Sequence, residues 1–176
     1  MKKFSIFLFT ISFILLLTAC IKNDEPVYTS AVVELDAATW NANSVGVTYP
    51  ILVLRPPFGR APSQANWIIG LDSVVTRKTG TIQLRVNLVG AQQAGPLEVT
   101  YEVVTGATTA IPGTHYTQLP GKVTIPAKSS FGYIDIPILN PGATSGTVDL
   151  VIRLTGGTGV TISPNYNTVG LRISQS

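Results

Sequence analysis

Thr81-Ile82-Gln83-Leu84-Arg85-Val86-Asn87-Leu88-Val89 is the stretch of sequence that decides the fold. Aliphatic side chains alternate along it with three polar ones, Gln83, Arg85 and Asn87. A period of two predicts a β-strand that has one covered face and one wet face. Strands of this kind are typical of a sandwich, in which two sheets share one core.

The same alternation recurs on both sides of this strand, and joints rich in glycine or proline separate the segments. Two prolines within the pattern, Pro50 and Pro137, indicate edge strands or a bulge, because proline cannot donate to a ladder. No helix of ten residues is predicted after the N-terminal leader. The alternating segments cover residues 31–36, 45–53, 97–103, 123–125, 134–138, 148–154 and 169–173.

The composition agrees with an all-β chain: 12% of the residues are charged, and there are 16 glycines and 12 prolines. We therefore predict a single immunoglobulin-like β-sandwich of seven to eight antiparallel strands over residues 29–176. A closed barrel is the alternative. The chain has one cysteine, so it can form no internal disulfide and its core must hold by packing.

The N-terminus is typical of a lipoprotein signal peptide, which we assign to residues 1–19. Lys2 and Lys3 precede an apolar segment, Phe4–Leu17, of 14 residues. A membrane span needs roughly 20 residues, so this length favours a cleaved leader. Leu17-Thr18-Ala19-Cys20 resembles the lipobox of bacterial lipoproteins, which implies that Cys20 carries lipid and anchors the chain to a membrane.

Residues 20–28 form a short polar tether after the leader. Within it, Lys22-Asn23-Asp24-Glu25 resembles the surface-export signal of Bacteroidota-type lipoproteins, although Asn23 separates the lysine from the acids. The alternative is that these polar residues form only a solvated tether and carry no export signal. The expected location is the cell outer membrane, lipid-anchored and facing the cell surface, and the periplasmic face is the alternative.

The charge balance excludes nucleic acid as a partner. The chain has 12 basic and 9 acidic residues, and loss of Lys2 and Lys3 with the leader leaves 12 − 2 = 10 basic ones. The mature chain is then nearly neutral. Arg77-Lys78 is its densest basic pair, and no basic patch of the nucleic-acid-binding kind is predicted.

The segment Thr109–Ile138 carries a family resemblance. Pro112-Gly113-Thr114-His115-Tyr116 precedes Leu119-Pro120-Gly121-Lys122-Val123-Thr124-Ile125-Pro126-Ala127 and then a strand around Ile134-Asp135-Ile136. This resembles the "G-x-D-Y … G-x-V-T-I-P-A-G" run of Calx-beta-like sandwiches. It is still more similar to uncharacterised immunoglobulin-like domains of Bacteroidota surface lipoproteins. The resemblance covers residues 80–175. Residues 29–79 share with these domains only a sequence pattern that is typical of β-strands.

The resemblance implies the fold and an accessory role in surface attachment or glycan use. It does not bring calcium binding with it, because His115 stands where those domains have an aspartate. No D-x-[DN]-x-D cluster appears in the sequence, and calcium prefers six to eight oxygen ligands. No metal and no cofactor are therefore predicted.

The sequence offers no set of residues that predicts a catalytic site. His115 is the single histidine, and no G-x-S-x-G elbow accompanies it, so we expect it to pack a loop. Glu98 and Glu102 lie four residues apart on one strand's wet face, about 13 Å by strand rise. Gly156-Gly157-Thr158-Gly159 lacks the lysine and the helix of a phosphate loop, and we interpret it as a turn.

Residues 55–67, which contain three prolines, are predicted to form a semi-rigid loop. Phe58, Arg60 and Trp67 are the candidate contacts with a glycan or protein partner, because aromatic and arginine side chains are common interface anchors. The alternative is that Phe58 and Trp67 cap the sandwich or enter its core.

Asp72-Ser73-Val74 resembles a short O-glycosylation acceptor of Bacteroidota envelope proteins, with Ser73 as the acceptor. The leading functional hypothesis is a non-enzymatic envelope lipoprotein that binds glycan or an envelope protein. The alternative is a fimbria-like structural or adhesive subunit that assembles by strand addition, with residues 169–173 as an exchangeable strand.

Overall fold

The computed structural model describes residues 30–55, 74–142 and 144–176. These residues form nine strands and one short helix. No helix in this part of the chain combines the length and the apolar composition that a membrane span requires. In chain order the elements are β1 Val32–Leu35, α1 Asp36–Trp40, β2 Ile51–Leu52, β3 Thr81–Val89, β4 Leu97–Val103, β5 Lys122–Ile125, β6 Phe131–Pro137, β7 Thr147–Gly157, β8 Thr161–Ile162 and β9 Thr168–Ser174.

The strands form two sheets that pack face to face as a sandwich. One sheet has the order β6-β3-β1-β8, and the other has the order β2-β9-β7-β4-β5. The longest ladder of the first sheet joins β3 to β6, antiparallel, with Arg85 opposite Tyr133. In the second sheet β7 lies between β4 and β9 and is antiparallel to both. The predicted all-β sandwich is confirmed.

The core lies between the sheets, and the aliphatic residues that the alternation singled out form most of it. Every second residue of β3 is buried, and the residues between them are exposed or half-buried. The same rule holds for β4 and β6. Because alternate Cβ atoms point to opposite faces of a sheet, the period-2 pattern alone assigns these residues to the core. Those with 0% exposure include Ile82, Val86, Val99, Ile136, Leu150, Ile152, Val169, Leu171 and Ile173.

The prediction of one strand over residues 45–53 is wrong for most of its length. Val45 is fully exposed, and Gly46 has a φ of 82°. A backbone bond from the Val47 amide to the Ser44 carbonyl, 3.2 Å, closes a turn here. Left-handed backbone at a glycine interrupts a strand, so the pairing begins at Ile51. The strand that remains, β2, does lie at an edge, as Pro50 predicted.

The expectation of antiparallel pairing throughout is also incomplete. Seven strands pair antiparallel with their neighbours, but β8 runs parallel to β1 and β2 runs parallel to β9. Both added strands have two residues each, which is too short for an alternation to be recognised in the sequence. Similarly, Gly156 and Gly157 end β7 rather than forming the turn that follows it.

The edge of β6 is partly covered by the chain itself, and its position at an edge agrees with the prediction from Pro137. At its start, Gly132 lies so close to β5 that a Cβ there would come within 2.6 Å of the Thr124 carbonyl oxygen. At its end, the Thr117 amide donates to the Pro137 carbonyl at 3.0 Å. Covered edges of this kind oppose the addition of a foreign strand.

Candidate functional site

The five site residues predicted from the sequence lie outside the described residues. Cys20 belongs to the leader and tether region, and the other four belong to the stretch 56–73. The positions that flank this stretch are described: Leu54 and Val74 form an antiparallel bridge. The Arg55 Nη2 atom donates to the Thr81 carbonyl at 2.9 Å. The lipidation, contact and glycosylation roles remain predictions for Cys20, Phe58, Arg60, Trp67 and Ser73.

Among the described residues, the most distinctive surface is the outer face of β3 and β6. The register places three polar or aromatic pairs opposite each other, and one of the pairs is Arg85 with Tyr133. All six side chains are exposed or half-buried. We call this surface the aromatic face and define it by Gln83, Arg85, Asn87, Phe131, Tyr133 and Asp135.

The two aromatic rings of this face meet at a steep angle. The ring centroids of Phe131 and Tyr133 lie 5.7 Å apart, and the ring planes are inclined by 70°. The guanidinium carbon of Arg85 lies 4.2 Å from the Phe131 centroid, within the range of a cation–π contact. The exposed fractions are 37% for Phe131 and 44% for Tyr133. Both rings therefore present area to solvent from a rigid sheet.

Hydrogen bonds fix the polar side chains around the rings. The Arg85 Nε donates to the Asn87 Oδ1 at 2.8 Å, and the Asn87 Nδ2 donates to the Asp36 Oδ1 at 2.8 Å. The Trp40 Nε1 donates to the same carboxylate oxygen at 3.4 Å. These bonds join the first residue of α1 to the β3 side of the aromatic face, so the side chains of Arg85 and Asn87 are tied to Asp36.

A second pair lies at the other end of the aromatic face. The Gln83 Nε2 donates to the Asp135 Oδ1 at 2.8 Å, across the β3–β6 ladder. An ionised carboxylate offers about four acceptor sites, so Asp135 retains acceptor capacity towards solvent. Its position, two residues beyond Tyr133 on the same strand face, puts a hydrogen-bonding group directly beside a ring.

Glu34 adds a titratable group next to this network. Burial raises the pKa of Glu34 above its ordinary value, the hydrogen bond with Asn87 opposes this shift, and the nearby Asp36 charge adds to it. Glu34 lies opposite Asn87 in the β1–β3 ladder. The folded surroundings therefore make ionisation of this carboxyl less favourable than it is in the unfolded chain.

The outer face of the other sheet has a different character, because its acids are all paired with bases. Lys122 Nζ lies 3.0 Å from the Glu98 Oε2, and Arg153 pairs with Glu102. Arg172 donates to both Asp149 oxygens at 2.8 Å, which raises the pKa of the Arg172 guanidinium. Mutual pairing across strands agrees with the prediction that Glu98 and Glu102 lie on a wet sheet face.

A cavity of about 440 Å³ lies between β4 and the loop 104–121. Tyr116 and Leu119 form part of its wall and are 2% and 8% exposed. Two of its polar side chains are already engaged: Glu102 with Arg153, and the Thr108 hydroxyl with the Val151 amide at 3.0 Å. Burial raises the pKa of Tyr116. The cavity therefore has a mixed lining, in which Tyr101, Thr105 and Gln118 are further polar side chains.

His115 lies in the same loop and stabilises its turn. Its Nδ1 accepts a hydrogen bond from the Ile111 amide at 2.9 Å, and the His115 carbonyl accepts from the Leu139 amide at 2.9 Å. These bonds agree with the loop-packing role expected for the histidine. Within residues 30–55, 74–142 and 144–176, no three acidic, histidine or cysteine side chains come together as a metal site would need.

Comparison with known proteins bears on the family and the fold. Residues 70–174 match the model of a family described as Domain of unknown function (DUF4843). No curated protein matches the chain.

Several solved structures are similar to the chain. The apo-form Calx CBD1 domain is 16% identical, with a TM-score of 0.52 over 82% of this chain and 98% of that domain. A Bacteroides ovatus protein of unknown function is 9% identical, with a TM-score of 0.50 over 84% of this chain and 52% of that one. The chain also matches the Calx fragment CBD12 from CALX1.2 at 20% identity, over 57% of this chain and 39% of that one, with a TM-score of 0.48.

At these identities the structural likeness shows the fold, and the resemblance to Calx-beta-like sandwiches drawn from Thr109–Ile138 is confirmed at that level. The aromatic face itself was missed in the sequence. Its signal was nevertheless present, because Phe131 and Tyr133 alternate with Ile134 and Ile136 and must therefore point away from the core.

Proposed function

Since the chain belongs to the family described as Domain of unknown function (DUF4843), we propose a function from its surface: a non-enzymatic, lipid-anchored module of a bacterial cell envelope that binds glycan through the aromatic face. The observation that carries the proposal is the exposed pair of rings, Phe131 and Tyr133, fixed beside Arg85 and the Gln83–Asp135 hydrogen bond. Sugars combine apolar ring faces with a rim of hydroxyls, and this surface offers partners for both.

The size of the aromatic face favours a glycan over a protein. Phe131 to Asp135 spans about 13 Å by strand rise, and one strand spacing across to β3 adds about 5 Å. A stable protein interface covers about 800 Å² on each partner, which is several times this area. Each ring also has polar neighbours at its side, so the face presents no continuous apolar patch of the kind that larger partners cover.

Assembly by strand addition, the alternative hypothesis, has less support. The strand proposed for exchange, β9, lies inside its sheet between β2 and β7. Val169, Leu171 and Ile173 are completely buried. Removal of this strand would open the core, at a cost of several kcal/mol for each large aliphatic side chain lost.

The anchor and the location are inferred from the leader. A lipobox ending in Cys20 would place the sandwich on a membrane, and the tether 20–28 would hold it at the outer face of the outer membrane. The palmitate-labelled fraction of the Cys20→Ser variant measures the anchor directly: we expect unprocessed precursor without label. Protease treatment of intact cells measures the location, and we expect the sandwich to be accessible.

The binding proposal is tested with a glycan panel and the full-length chain, purified in a detergent that has no sugar headgroup. The Phe131→Ala/Tyr133→Ala double variant should lose binding and stay folded, with a melting temperature lowered by only the few degrees that loss of exposed ring contacts explains. Ile111→Ala is the matched control, since Ile111 is 55% exposed on the loop 104–121. If Phe58→Ala/Trp67→Ala loses binding and the double variant does not, the contact lies at the sequence-predicted loop instead.

A further inference from the structure

We infer that the aromatic face takes one soluble glycan chain, with a sugar ring on Tyr133, and that it does not take the flat surface of a crystalline polysaccharide. This inference rests on the proposed function. It concerns the shape of the ligand, which the mutual orientation of the two rings and their polar neighbours restricts.

The angle between the rings excludes a flat ligand surface. Aromatic side chains that bind a flat solid must lie in one plane, so that all of them contact it together. Phe131 and Tyr133 are inclined by 70° at a centroid distance of 5.7 Å, so a plane that stacks on one ring meets the other nearly edge-on. A single soluble glycan has no such constraint, because rotation about its glycosidic bonds can incline one sugar unit to the next.

Arg85 further restricts where stacking can take place. Its guanidinium lies 4.2 Å from the Phe131 centroid and therefore occupies one face of that ring. Tyr133 is the more exposed ring, at 44%. We assign the stacking contact to Tyr133, and we assign to Phe131 the part of a positioning residue that holds the Arg85 guanidinium in place.

A hydrogen-bond donor, Arg85, and a hydrogen-bond acceptor, Asp135, flank Tyr133. Arg85 lies directly opposite Tyr133 in the ladder, and its guanidinium has five N–H donors, of which Nε is engaged with Asn87. Asp135 follows Tyr133 on the same face and accepts from Gln83 at 2.8 Å. A donor on one side of the ring and an acceptor on the other match neighbouring hydroxyls of a stacked sugar unit.

The direction in which the bound glycan runs follows from the same arrangement. Phe131, Tyr133 and Asp135 form one row along the outer face of β6, with a spacing of about 7 Å between successive members. A glycan of several units can extend along this row from the Tyr133 ring to Asp135 and to the Arg85 guanidinium held over Phe131, whereas a single sugar covers one position. Affinity should therefore rise with chain length.

The experiment measures binding of the full-length chain, in sugar-free detergent, to soluble and solid probes. The soluble probes are gluco-, manno-, xylo- and galacturonohexaose and their monosaccharides; the solids are microcrystalline cellulose and chitin. We expect binding to at least one hexaose, weaker binding to its monosaccharide, and no retention on the solids. Tyr133→Ala should weaken hexaose binding about tenfold, the scale of one aromatic contact, while Tyr133→Phe keeps it.

Two further variants separate positioning from folding. Phe131→Leu should weaken binding while the melting temperature falls by only a few degrees, as loss of one exposed contact gives, and Asp135→Asn should weaken binding more than Glu98→Gln, its control on the opposite sheet. Retention on cellulose or chitin without hexaose binding would overturn this inference and leave the proposed function standing. Absence of binding to every probe would overturn the proposed function itself.

Discussion

Arg85 and Phe131 contact each other diagonally across two neighbouring strands, with the guanidinium carbon 4.2 Å from the ring centroid. The contact joins β3 to the edge strand β6 on a surface that water reaches. It also ties together two parts of the chain that the sequence separates by more than forty residues.

We expect the Arg85–Phe131 contact to stabilise the fold modestly. A cation–π pair at an exposed site contributes about 0.5–1 kcal/mol. A double-mutant cycle with Arg85→Met and Phe131→Leu, read by urea unfolding, should return a coupling energy of that size. A coupling energy of zero would mean that the two side chains do not hold each other in solution.

Gly132 should tolerate no side chain. An added Cβ would lie 2.6 Å from the Thr124 carbonyl oxygen, and backbone cannot yield as a flexible side chain can. Gly132→Ala should destabilise the protein by about 1–3 kcal/mol, the usual cost of overpacking. Gly95→Ala is the control, because no atom lies within 4 Å of the Cβ position there. Equal melting temperatures for the two variants would refute the close approach of β5 and β6.

The hydrogen bond of His115 should matter for stability. His115→Ala removes the acceptor of the Ile111 amide and should cost about 1 kcal/mol. His115→Asp, which introduces the residue of the family run, supplies a carboxylate acceptor and should retain most of the stability. Thr114→Ala, at an exposed neighbouring position, serves as the control. Thermal unfolding measures all three, and equal losses for Ala and Asp would argue against the acceptor role.

Stability should fall with rising pH because of Glu34. Its pKa is raised by burial above 4.5, so the folded chain binds this proton more tightly than the unfolded chain does. The resulting stabilisation is complete below about pH 4.5 and is lost as the pH rises through the raised pKa. Glu34→Gln removes the titration. Its stability relative to the parent should increase across that window, as measured by urea unfolding at several pH values.

Glu98→Gln is the reference for this experiment, since Glu98 is exposed and paired with Lys122. It controls for the loss of one carboxylate from an exposed ion pair. If Glu34→Gln gives the same stability difference at every pH, the carboxyl is not destabilised by its surroundings.

The boundary between core and surface gives a further prediction. Leu150→Ala should cost about 2–5 kcal/mol, since Leu150 is completely buried and its loss leaves a cavity. Val45→Ala should be nearly neutral, because Val45 is fully exposed. A large loss at Val45, measured by chemical unfolding, would restore the strand that the alternation predicted over residues 45–53.

Much of the core was predictable, because the alternation of apolar and polar residues along a strand indicates which side chains are buried. The alternation of Ile82, Leu84, Val86 and Leu88 assigns each side chain to a face without any knowledge of the pairing. The turn at Ser44–Tyr49 was not predictable in this way. Its residues continue the alternation, and a left-handed glycine with local hydrogen bonds overrides it.

The sequence by itself determined an all-β sandwich, most of its buried strand residues and the edge position of β6, since these depend on period-2 patterning and on the missing amide of proline. The tertiary structure decided which residues meet. Asp36 reaches Asn87 over 51 positions, and Phe131 comes under Arg85. Such meetings depend on strand order and register, which are set by long-range packing of the two sheets and cannot be calculated from local preference.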